Sequence, residues 1–456
     1  MKTHGLYWLV GFALINVSLA GDPVGWRGSG LGMYPDADPP TEWSAGKNVV
    51  WRQEMPSWGN ASTVLLGNRL FVTSEPNELI CLSKADGRIL WRHPVPLSDT
   101  WSDDERAEAE KKQKETEQLK KQYDELDDQI NRAYGLLKKD PGNADRKKHY
   151  KDLRAVQRGV LKEISRNARW ARARAEKTNG YTSATPVSDG KNVWVVMGTG
   201  VAACFDLEGN RIWIRFAGRP KDPYGHSASP ILADGKLVLH LDAMSACNPM
   251  TGEELWRTQD AHRGWGTPFP TRIGNTPVLV TGKGQVVRLA DGNVLTERLT
   301  RLAYASPIVV DGVAYWIQND GAAFKLLSIG NDKAKTERLW KTAPRKDRYY
   351  GSAVLRDGLL YAMTQKNHFS VIDATDGKVV AEKDLPLGRG AAYTSVTLAG
   401  KYLYVGNESG KMAVLQPGKG IEVVAVNELD KFRATPVFEG KRMYLRTWKY
   451  VYCIGE

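Results

Sequence analysis

The fold is decided by the stretch from Gly225 to Arg257, GHSASPILADGKLVLHLDAMSACNPMTGEELWR. Ser229-Pro230 opens a first short strand, and Asp234-Gly235 makes a tight turn into a second. A third strand contains Ala246-Cys247, and Thr251-Gly252 turns the chain into a fourth that contains Trp256. This pattern predicts an antiparallel four-stranded meander. One sheet of this size cannot bury both faces, so it must pack against others.

The same unit recurs along the chain with a period near forty residues. Turn glycines at the equivalent position are Gly67, Gly190, Gly235, Gly274, Gly312, Gly358, Gly400 and Gly440. The gaps between them are 123, 45, 39, 38, 46, 42 and 40 residues, and the first is long because a different segment interrupts it. A forty-residue period with four strands per unit is typical of propeller blades. We therefore predict an all-β, eight-bladed β-propeller.

The two ends of the repeat region complement each other. The last unit, Phe432–Glu456, stops after its third strand, whereas Asn48–Arg52 near the start contains Trp51, the residue type that ends other units. We predict that this N-terminal strand completes the last blade. Such pairing would close the ring and remove its open edges.

The repeated units resemble the pyrroloquinoline-quinone (PQQ) type propeller repeat, which has an alanine-rich beginning, a glycine turn and a D-x-x-T-G-x-x-x-W ending. The similarity is strongest in Ala203–Trp213 (ACFDLEGNRIW), Ala246–Trp256 and Cys81–Trp91 (CLSKADGRILW). It weakens where Thr296 and Ala381 replace the tryptophan, and it covers roughly residues 43–101 and 179–456. In that family the tryptophans pack neighbouring blades together. Here these are Trp91, Trp213, Trp256 and Trp340.

The N-terminus has the pattern of a secretory signal. Residues 1–20 place Lys2 and His4 before an apolar run and end in Ser18-Leu19-Ala20, a small-x-small cleavage site. We predict an exported protein of the periplasm or cell envelope, or a secreted one, without a transmembrane segment once mature. An uncleaved anchor is the alternative. Residues 21–42 are rich in Gly and Pro and predict an irregular strap, anchored by Trp26 and Tyr34 and without chemistry of its own.

Residues 102–178 interrupt the repeats between blade 1 (residues 43–101, with the closing strand) and blades 2–8 (residues 179–456). Ser102 and the acidic residues after it predict a helix start. Two heptad seams follow, formed by Leu119, Tyr123, Leu126, Ile130, Ala133 and Leu137, and by Leu153, Val156, Val160, Ile164, Asn167 and Ala171. The break at Asp140–Asn143 predicts an antiparallel coiled-coil hairpin with about 35 residues per arm.

The hairpin has an uneven charge distribution. The first arm, Asp103–Lys139, has 9 basic and 11 acidic residues, whereas the second, Asn143–Lys177, has 12 basic and 4 acidic residues. The second arm either pairs with the acidic first arm or docks on an anionic surface, an acidic polymer or an acidic partner. The candidate docking residues are Arg158, Arg166, Arg169, Arg172 and Arg174. The formal charge of +12 does not indicate nucleic-acid binding in an exported protein.

Four cysteines occur, Cys81, Cys204, Cys247 and Cys453, and each is assigned to the same repeat position in a third strand. Equivalent positions on neighbouring blades lie about 10 Å apart, which is too far for a disulfide. We predict four buried free thiols. No zinc or covalent haem motif is present.

The loops before the innermost strands form the predicted mouth of the central channel. They contain nearly one aromatic residue per blade, and cations lie between them. The candidate ligand- or partner-binding residues are Trp58, Tyr181, His226, His262, Arg263, Trp265, Tyr304, Tyr350, Arg389, Tyr393, Phe432 and Arg433. Such a rim suits a flat or anionic ligand, although the aromatic residues can equally fill the channel. His262 and His226 have no third ligand at metal spacing, so no metal site is predicted.

Three functions fit these observations. The favoured one is a non-catalytic scaffold for protein interaction or envelope assembly, by analogy with the propeller subunit of the bacterial outer-membrane assembly machine. The second is a PQQ- and calcium-dependent quinoprotein dehydrogenase that oxidises an alcohol or sugar. It is disfavoured because no adjacent-cysteine pair and no acidic cluster occur on the loops. The third is a binder of an acidic polysaccharide or another anionic ligand at the channel mouth. We predict no cofactor, and the oligomeric state is open.

Overall fold

The computed structural model describes residues 23–172, 175, 179–220, 222, 224–261 and 264–456. The predicted signal, residues 1–20, lies outside these ranges. Within them the chain is mostly β-structure, with eight sheets and one pair of long helices. No helix in the described ranges is both long enough and apolar enough to cross a bilayer.

The first four sheets, numbered in chain order, are antiparallel meanders. Sheet 1 contains β3 (Val64–Leu66), β4 (Arg69–Ser74), β5 (Glu78–Ser83) and β6 (Ile89–Pro94). Sheet 2 contains β7 (Val187–Ser188), β8 (Asn192–Val196), β9 (Val201–Asp206) and β10 (Arg211–Phe216). Sheet 3 contains β11 (Ile231–Ala233), β12 (Lys236–His240), β13 (Met244–Cys247) and β14 (Glu254–Thr258). Sheet 4 contains β15 (Phe269–Ile273), β16 (Thr276–Val280) and β17 (Val286–Arg288).

The other four sheets continue the pattern, and two of them recruit strands from the N-terminus. Sheet 5 contains β18 (Ile308–Val310), β19 (Val313–Trp316), β20 (Gly321–Gly330) and β21 (Lys333–Thr342). Sheet 6 contains β22 (Val354–Arg356), β23 (Leu359–Met363), β24 (His368–Asp373) and β25 (Val379–Asp384). Sheet 7 contains β26 (Thr397–Ala399), β27 (Tyr402–Gly406), β28 (Lys411–Gln416), β29 (Glu422–Glu428) and the parallel strand β1 (Met33–Tyr34). Sheet 8 contains β30 (Val437–Glu439), β31 (Arg442–Arg446), β32 (Tyr450–Ile454) and β2 (Val49–Glu54).

Strand β2 is the N-terminal strand that was expected to complete the last unit. It is hydrogen bonded to β32 in antiparallel register, with Trp51 opposite Cys453. The indole of Trp51 then reaches sheet 1, where its Nε1 donates to the carbonyl oxygen of Lys84 over 3.1 Å. Sheets 8 and 1 are therefore neighbours, although they lie at opposite ends of the chain.

The repeated tryptophans pack one sheet on the next, as the resemblance implied. Trp213 of sheet 2 donates from Nε1 to the carbonyl oxygen of Pro249 in sheet 3, and Trp256, Trp91 and Trp340 make the same contact with Leu289, Leu207 and Ala374. The turn glycine below each indole leaves the necessary space. A Cβ on Gly252 would lie 2.8 Å from the Trp213 ring. The D-x-x-T-G-x-x-x-W pattern thus encodes contacts between sheets.

Sheet 4 departs from the predicted four strands, since within the described residues it has only three. Where a fourth strand would start, Val294 makes a single bridge to Val287. Thr296 stands in the tryptophan position, and its hydroxyl accepts a hydrogen bond from the Val286 amide over 2.9 Å. The Thr296 side chain thus bonds within its own sheet, whereas Trp256 at the equivalent position of sheet 3 packs on the next sheet.

The strap contacts sheet 2 near its start and sheet 7 further along. Val24 bridges to Ser188 of sheet 2, and β1 pairs with β26 of sheet 7. Its most buried side chain is Arg27, which is 1% exposed and donates to the carbonyl oxygens of Ala353 and Val396 over 2.8 Å each. Trp26 and Tyr34 were the expected anchors. Arg27 was missed, because an arginine in a Gly/Pro-rich segment usually indicates a surface position.

The insertion is a helical hairpin of unequal arms. Helix α1 spans Glu105–Lys139 and α2 spans Ala144–Arg166, which is 23 residues rather than the expected 35. Helix α2 is followed directly by the 3-10 turn Asn167–Arg169. Arg169 in this turn is bonded to Thr100 and to Glu105 at the start of α1. These contacts fix the base of the hairpin.

The seam between the two arms corrects one predicted position. Tyr123, Leu126, Val160 and Ile164 form an apolar cluster between the helices, but Val156 is 51% exposed. Gln157 occupies the seam instead, and its Nε2 donates to Asp127 of α1 over 2.9 Å. The spacing 153, 157, 160, 164 keeps the steps of 4 and 3. The predicted seam had Val156 at this position, because apolar residues are the ones that mark a heptad seam.

The cysteines are buried free thiols, as predicted. Burial raises the pKa of Cys81 and Cys204 to about 12 and that of Cys247 and Cys453 to about 11. Three of them lie opposite a tryptophan, whereas Cys247 lies one residue further along its strand, opposite Glu254. The assignment of all four to one repeat position was wrong for Cys247, which faces the opposite side of its sheet.

Candidate functional site

The loops before the innermost strands surround a cavity of about 720 Å³, in the size range of ligand pockets. Trp26 of the strap contributes to the lining, so the strap forms part of the site. The strap was expected to have no chemistry. Lining a cavity does not test that expectation, which stays a prediction.

Eight hydroxyl residues, one before the first strand of each sheet, are linked around this cavity. The backbone amides of seven of them donate to the hydroxyl of the corresponding residue in the next sheet, over 2.9–3.2 Å. The set, called here the hydroxyl ring, is Ser62, Thr185, Ser229, Thr267, Ser306, Ser352, Ser395 and Thr435. The link into Ser306 is the one not observed in the described part, and the buried Ser306 Oγ has no partner there.

The hydroxyl ring was available from the sequence but was missed. Five of its members precede a proline, as in Ala184-Thr185-Pro186 and Ala305-Ser306-Pro307. Ser229-Pro230 was interpreted only as the start of a strand, and its hydroxyl was not considered. Aligning the eight units on this position would have revealed a hydroxyl in every one.

Aromatic and cationic side chains form a continuous stack along one side of the cavity. Tyr304 meets Tyr350 edge-on with ring centroids 4.8 Å apart, and Tyr350 lies parallel to Tyr393 at 4.6 Å. The guanidinium of Arg433 lies 3.9 Å from the Tyr393 ring centroid and 5.8 Å from that of Trp448. This set of five residues, called here the aromatic column, joins loops of sheets 5, 6, 7 and 8.

Arg433 is fixed from several directions. Its side chain is 8% exposed and forms a 2.9 Å ion pair with Glu408. Its Nη1 also donates to the side-chain oxygen of Asn179, the first described residue after the base of the hairpin. Asn179 in turn donates to the carbonyl oxygen of Tyr224 at the cavity rim. Asn179, at the start of the repeats that follow the insertion, is therefore part of the cavity wall.

Arg348 is the exposed cation of this wall. Its Nη1 donates to the hydroxyl oxygen of Tyr350 over 3.2 Å, and this bond raises the pKa of the guanidinium. Across the cavity the lining includes Asp222 and the buried His226. The site is thus lined by hydroxyls and aromatic rings and has charges of both signs.

The carboxylate of Glu75 holds the chain that leads from the hairpin to the cavity. Glu75 accepts hydrogen bonds from the amides of Tyr181 and Thr182 and from the Thr182 hydroxyl, at 2.6–2.8 Å. Burial raises the pKa of this carboxyl group. Gly180 packs so closely that a Cβ there would lie 2.3 Å from the carboxylate.

The structure brings together about half of the predicted binding residues. His226, Trp265, Tyr304, Tyr350, Tyr393 and Arg433 line the cavity. Phe432 is instead a core residue, 1% exposed, and Arg389 lies at a separate depression of about 340 Å³. Trp58 and Tyr181 lie outside the lining, with Trp58 against Trp448 at 6.3 Å. His262 and Arg263 lie outside the described residues.

The predicted docking residues are also divided by the structure. Arg158 is exposed on α2, but Arg166 is paired with Glu163 and Arg169 is held at the base by Glu105. Arg172 lies over the Tyr181 ring at 5.9 Å. Arg174 lies outside the described residues.

A PQQ–calcium group does not fit the described lining. Calcium takes six to eight oxygen ligands, usually with several carboxylates. Asp222 is the single carboxylate among the described lining residues, and no cluster of three potential metal ligands occurs in the described part of the chain.

Comparison with solved structures identifies the fold. BamB from Moraxella catarrhalis superposes with a TM-score of 0.55 at 9% identity, covering 89% of this chain and 99% of that one. The computationally designed protein Ika8 gives 0.55 at 8% identity over the same shares. Quinohemoprotein alcohol dehydrogenase from Comamonas testosteroni gives 0.54 at 10% identity, covering 92% of this chain and 78% of that one. These similarities show a β-propeller of PQQ-type repeats.

Sequence comparison gives two results. No curated protein matches this chain. Residues 44–102 and 241–454, more than half of the chain, match the family described as outer membrane protein assembly factor BamB. The chain belongs to this family of PQQ-repeat β-propeller proteins.

Proposed function

We propose that this protein is an exported, non-catalytic scaffold of the bacterial envelope that binds a protein partner at the cavity. The aromatic column is the observation that carries this proposal. Trp, Tyr and Arg are the residue types that dominate binding energy at protein interfaces. Here the tyrosine rings are already stacked and Arg433 is held by Glu408, so little ordering cost remains to be met on binding.

The architecture that we propose for the scaffold is a closed ring of eight blades. The hydroxyl ring supports it, because its seven bonds link all successive sheets except sheets 4 and 5 and include one from Thr435 of sheet 8 to Ser62 of sheet 1. The pairing of β2 with β32 supports it as well. A ring without free edges presents its loops on a rigid frame.

Site-specific photocrosslinking tests the scaffold function. A photoreactive phenylalanine replaces Tyr224, which lines the cavity and is 59% exposed. The control position is Val424 on β29, which is 39% exposed and does not line the cavity. We expect a discrete protein adduct in the native host from Tyr224 only. Equal adducts from both positions, or none from Tyr224, would contradict the proposal.

We also propose that the protein works without PQQ, because the described lining has a single carboxylate. Purified protein is mixed with PQQ and calcium, and absorbance and dye-linked oxidation of alcohols and sugars are recorded. No turnover above that of PQQ and calcium alone is expected. Turnover would reverse the proposal in favour of a quinoprotein dehydrogenase.

A second candidate function is binding of an acidic polysaccharide or another anionic ligand in the cavity. The hydroxyl ring favours it, because an oxygen that accepts a backbone N–H keeps its own hydrogen available to donate. Titration with polygalacturonate tests this function. Binding that is lost in Arg348→Gln and retained in Arg389→Gln, at the separate depression, would support it.

A further inference from the structure

One side of α2 has a row of five exposed cations. They are Lys147, Lys151, Arg154, Arg158 and Lys162, called here the basic stripe. At 100° per residue these positions fall within an arc of about 80° and extend over about 22 Å of helix. The acidic residues of α2, Asp145, Asp152 and Glu163, lie about 130° further round the helix. The basic stripe therefore faces outward as a straight line of one sign.

Cations on the neighbouring side of α2, about 80° round the helix from the centre of the stripe, are neutralised. Lys148 pairs with Asp152 over 2.8 Å, and Arg166 pairs with Glu163 over 2.6 Å. Among the described residues, no carboxylate lies within ion-pair distance of a stripe cation. The expected pairing of the second arm with the acidic first arm thus does not involve the stripe. Arg154 donates to Gln157, a neutral residue.

An aromatic pair lies at the tip end of the basic stripe. The rings of Tyr134 and Tyr150 pack across the two arms at 5.7 Å, and Tyr134 is 45% exposed. The ammonium group of Lys138 lies 4.8 Å from the Tyr134 ring. Tyr150 precedes Arg154 by four residues, so the pair continues the same side of the helix. Tyrosine with flanking lysine is typical of membrane–water interfaces.

We propose that the basic stripe binds the headgroups of an anionic lipid surface, with the tyrosine pair at the interface. This inference deepens the proposed scaffold function, on which it rests, by assigning the hairpin to the membrane and the cavity to the protein partner. Rows of basic residues on one helix face are attracted to anionic headgroups by the surface potential. A planar headgroup layer contacts all five cations of a straight row together.

An acidic protein is the less suitable partner for this surface. Interface cores are depleted in lysine and need apolar residues to bury. The apolar positions of α2, such as Val160 and Ile164, are already buried against α1. Beside the stripe, Ala155 and Gly159 offer little apolar surface, and Leu161 is partly buried against the cluster between the arms.

Vesicle flotation of the full chain tests the proposal. The vesicles are phosphatidylcholine alone or phosphatidylcholine with phosphatidylglycerol. The test variant is Lys151→Gln/Arg158→Gln, and the control is Lys148→Gln/Arg166→Gln, which removes the same charge from the paired side. We expect the native chain to float only with phosphatidylglycerol. The vesicle affinity of the test variant should fall by about tenfold or more, whereas the control should keep the affinity of the native chain. Added salt should release the native chain.

Three results would overturn the proposal. They are no flotation of the native chain, equal losses in both variants, and retention of the native chain by polyglutamate but not by vesicles. The last result would indicate an acidic protein partner. Circular dichroism checks that both variants keep their helices. Because neither variant touches the cavity, crosslinking from Tyr224 reports on the scaffold function separately.

Discussion

Arginine and lysine have opposite uses in the β-propeller and in the hairpin. In the sheets, Arg446 is fully buried and donates to the carbonyl oxygens of Thr447 and Ser57 at 2.7 and 2.5 Å, and burial lowers its pKa to about 9. Arg27 is held in the same way. On α2, by contrast, the basic stripe is exposed. A buried cation that bonds fixed backbone carbonyls joins the segments that supply them, whereas one in solvent contributes little to stability and is available for binding.

Thiol reactivity gives the largest expected contrast between the two regions. The native cysteines are at most 2% exposed and have a raised pKa, so thiolate is scarce in the folded chain at pH 8. Ala155→Cys would place a thiol on the exposed side of α2. We expect iodoacetamide to modify it at least about a hundredfold faster than any native thiol. Mass spectrometry after timed quenching measures these rates.

Between pH 7 and 9 the hairpin thiol should react faster as it ionises, whereas the native thiols should stay unreactive because their pKa values lie near 11–12. Urea-unfolded chain supplies the fully reactive control. Rapid modification of a native thiol in the folded chain would disprove the burial of these residues.

Removal of the buried cation should destabilise the propeller strongly. Arg446→Leu removes the guanidinium donor to the carbonyl oxygen of Thr447 and one of the two donors to that of Ser57, which also accepts from the Ser74 hydroxyl. We therefore expect a loss of about 2–4 kcal/mol in the free energy of unfolding. Arg158→Gln on the hairpin should change it by less than about 0.5 kcal/mol. Urea titration followed by tryptophan fluorescence makes the comparison. Similar losses in the two variants would contradict the assigned division of roles.

The corrected seam can be tested within the hairpin. Ile164 is 1% exposed and Val156 is 51% exposed, so the same substitution should have unequal effects. Ile164→Asp buries an unpaired charge between the arms and should cost about 3 kcal/mol of hairpin stability. Val156→Asp should cost less than about 0.5 kcal/mol. Thermal melts followed by circular dichroism at 222 nm measure the two losses. Equal losses of helix would indicate that Val156 lies in the seam, as the sequence predicted.

The smallest expected effect concerns two members of the hydroxyl ring. Ser352 Oγ accepts the Ser306 amide over 2.9 Å, whereas Ser306 Oγ has no partner among the described residues. Ser352→Ala should therefore cost about 1 kcal/mol, and Ser306→Ala should be close to neutral. Urea titration of both variants measures the difference. A larger loss for Ser306→Ala would show that its hydroxyl takes part in the ring.

The sequence determined the repeat, because turn chemistry is local. Asp234-Gly235 and Thr251-Gly252 bend the chain wherever they occur, and their spacing specifies four-stranded units before any contact between units exists. The same holds for the helical hairpin, whose break at Asp140–Asn143 is also local. Burial of the cysteines followed from their place inside strands. These features were correctly predicted from single units.

Only the tertiary structure decided which side chains meet at the cavity. Tyr304, Tyr350 and Tyr393 are more than forty residues apart, and Arg433 joins them with Asn179, 254 residues away. Such contacts depend on how the sheets are rotated relative to one another, which no single unit encodes. The burial of Arg27 and the seam position of Gln157 are of the same kind. In each, a buried polar side chain forms hydrogen bonds to groups that are distant in the sequence.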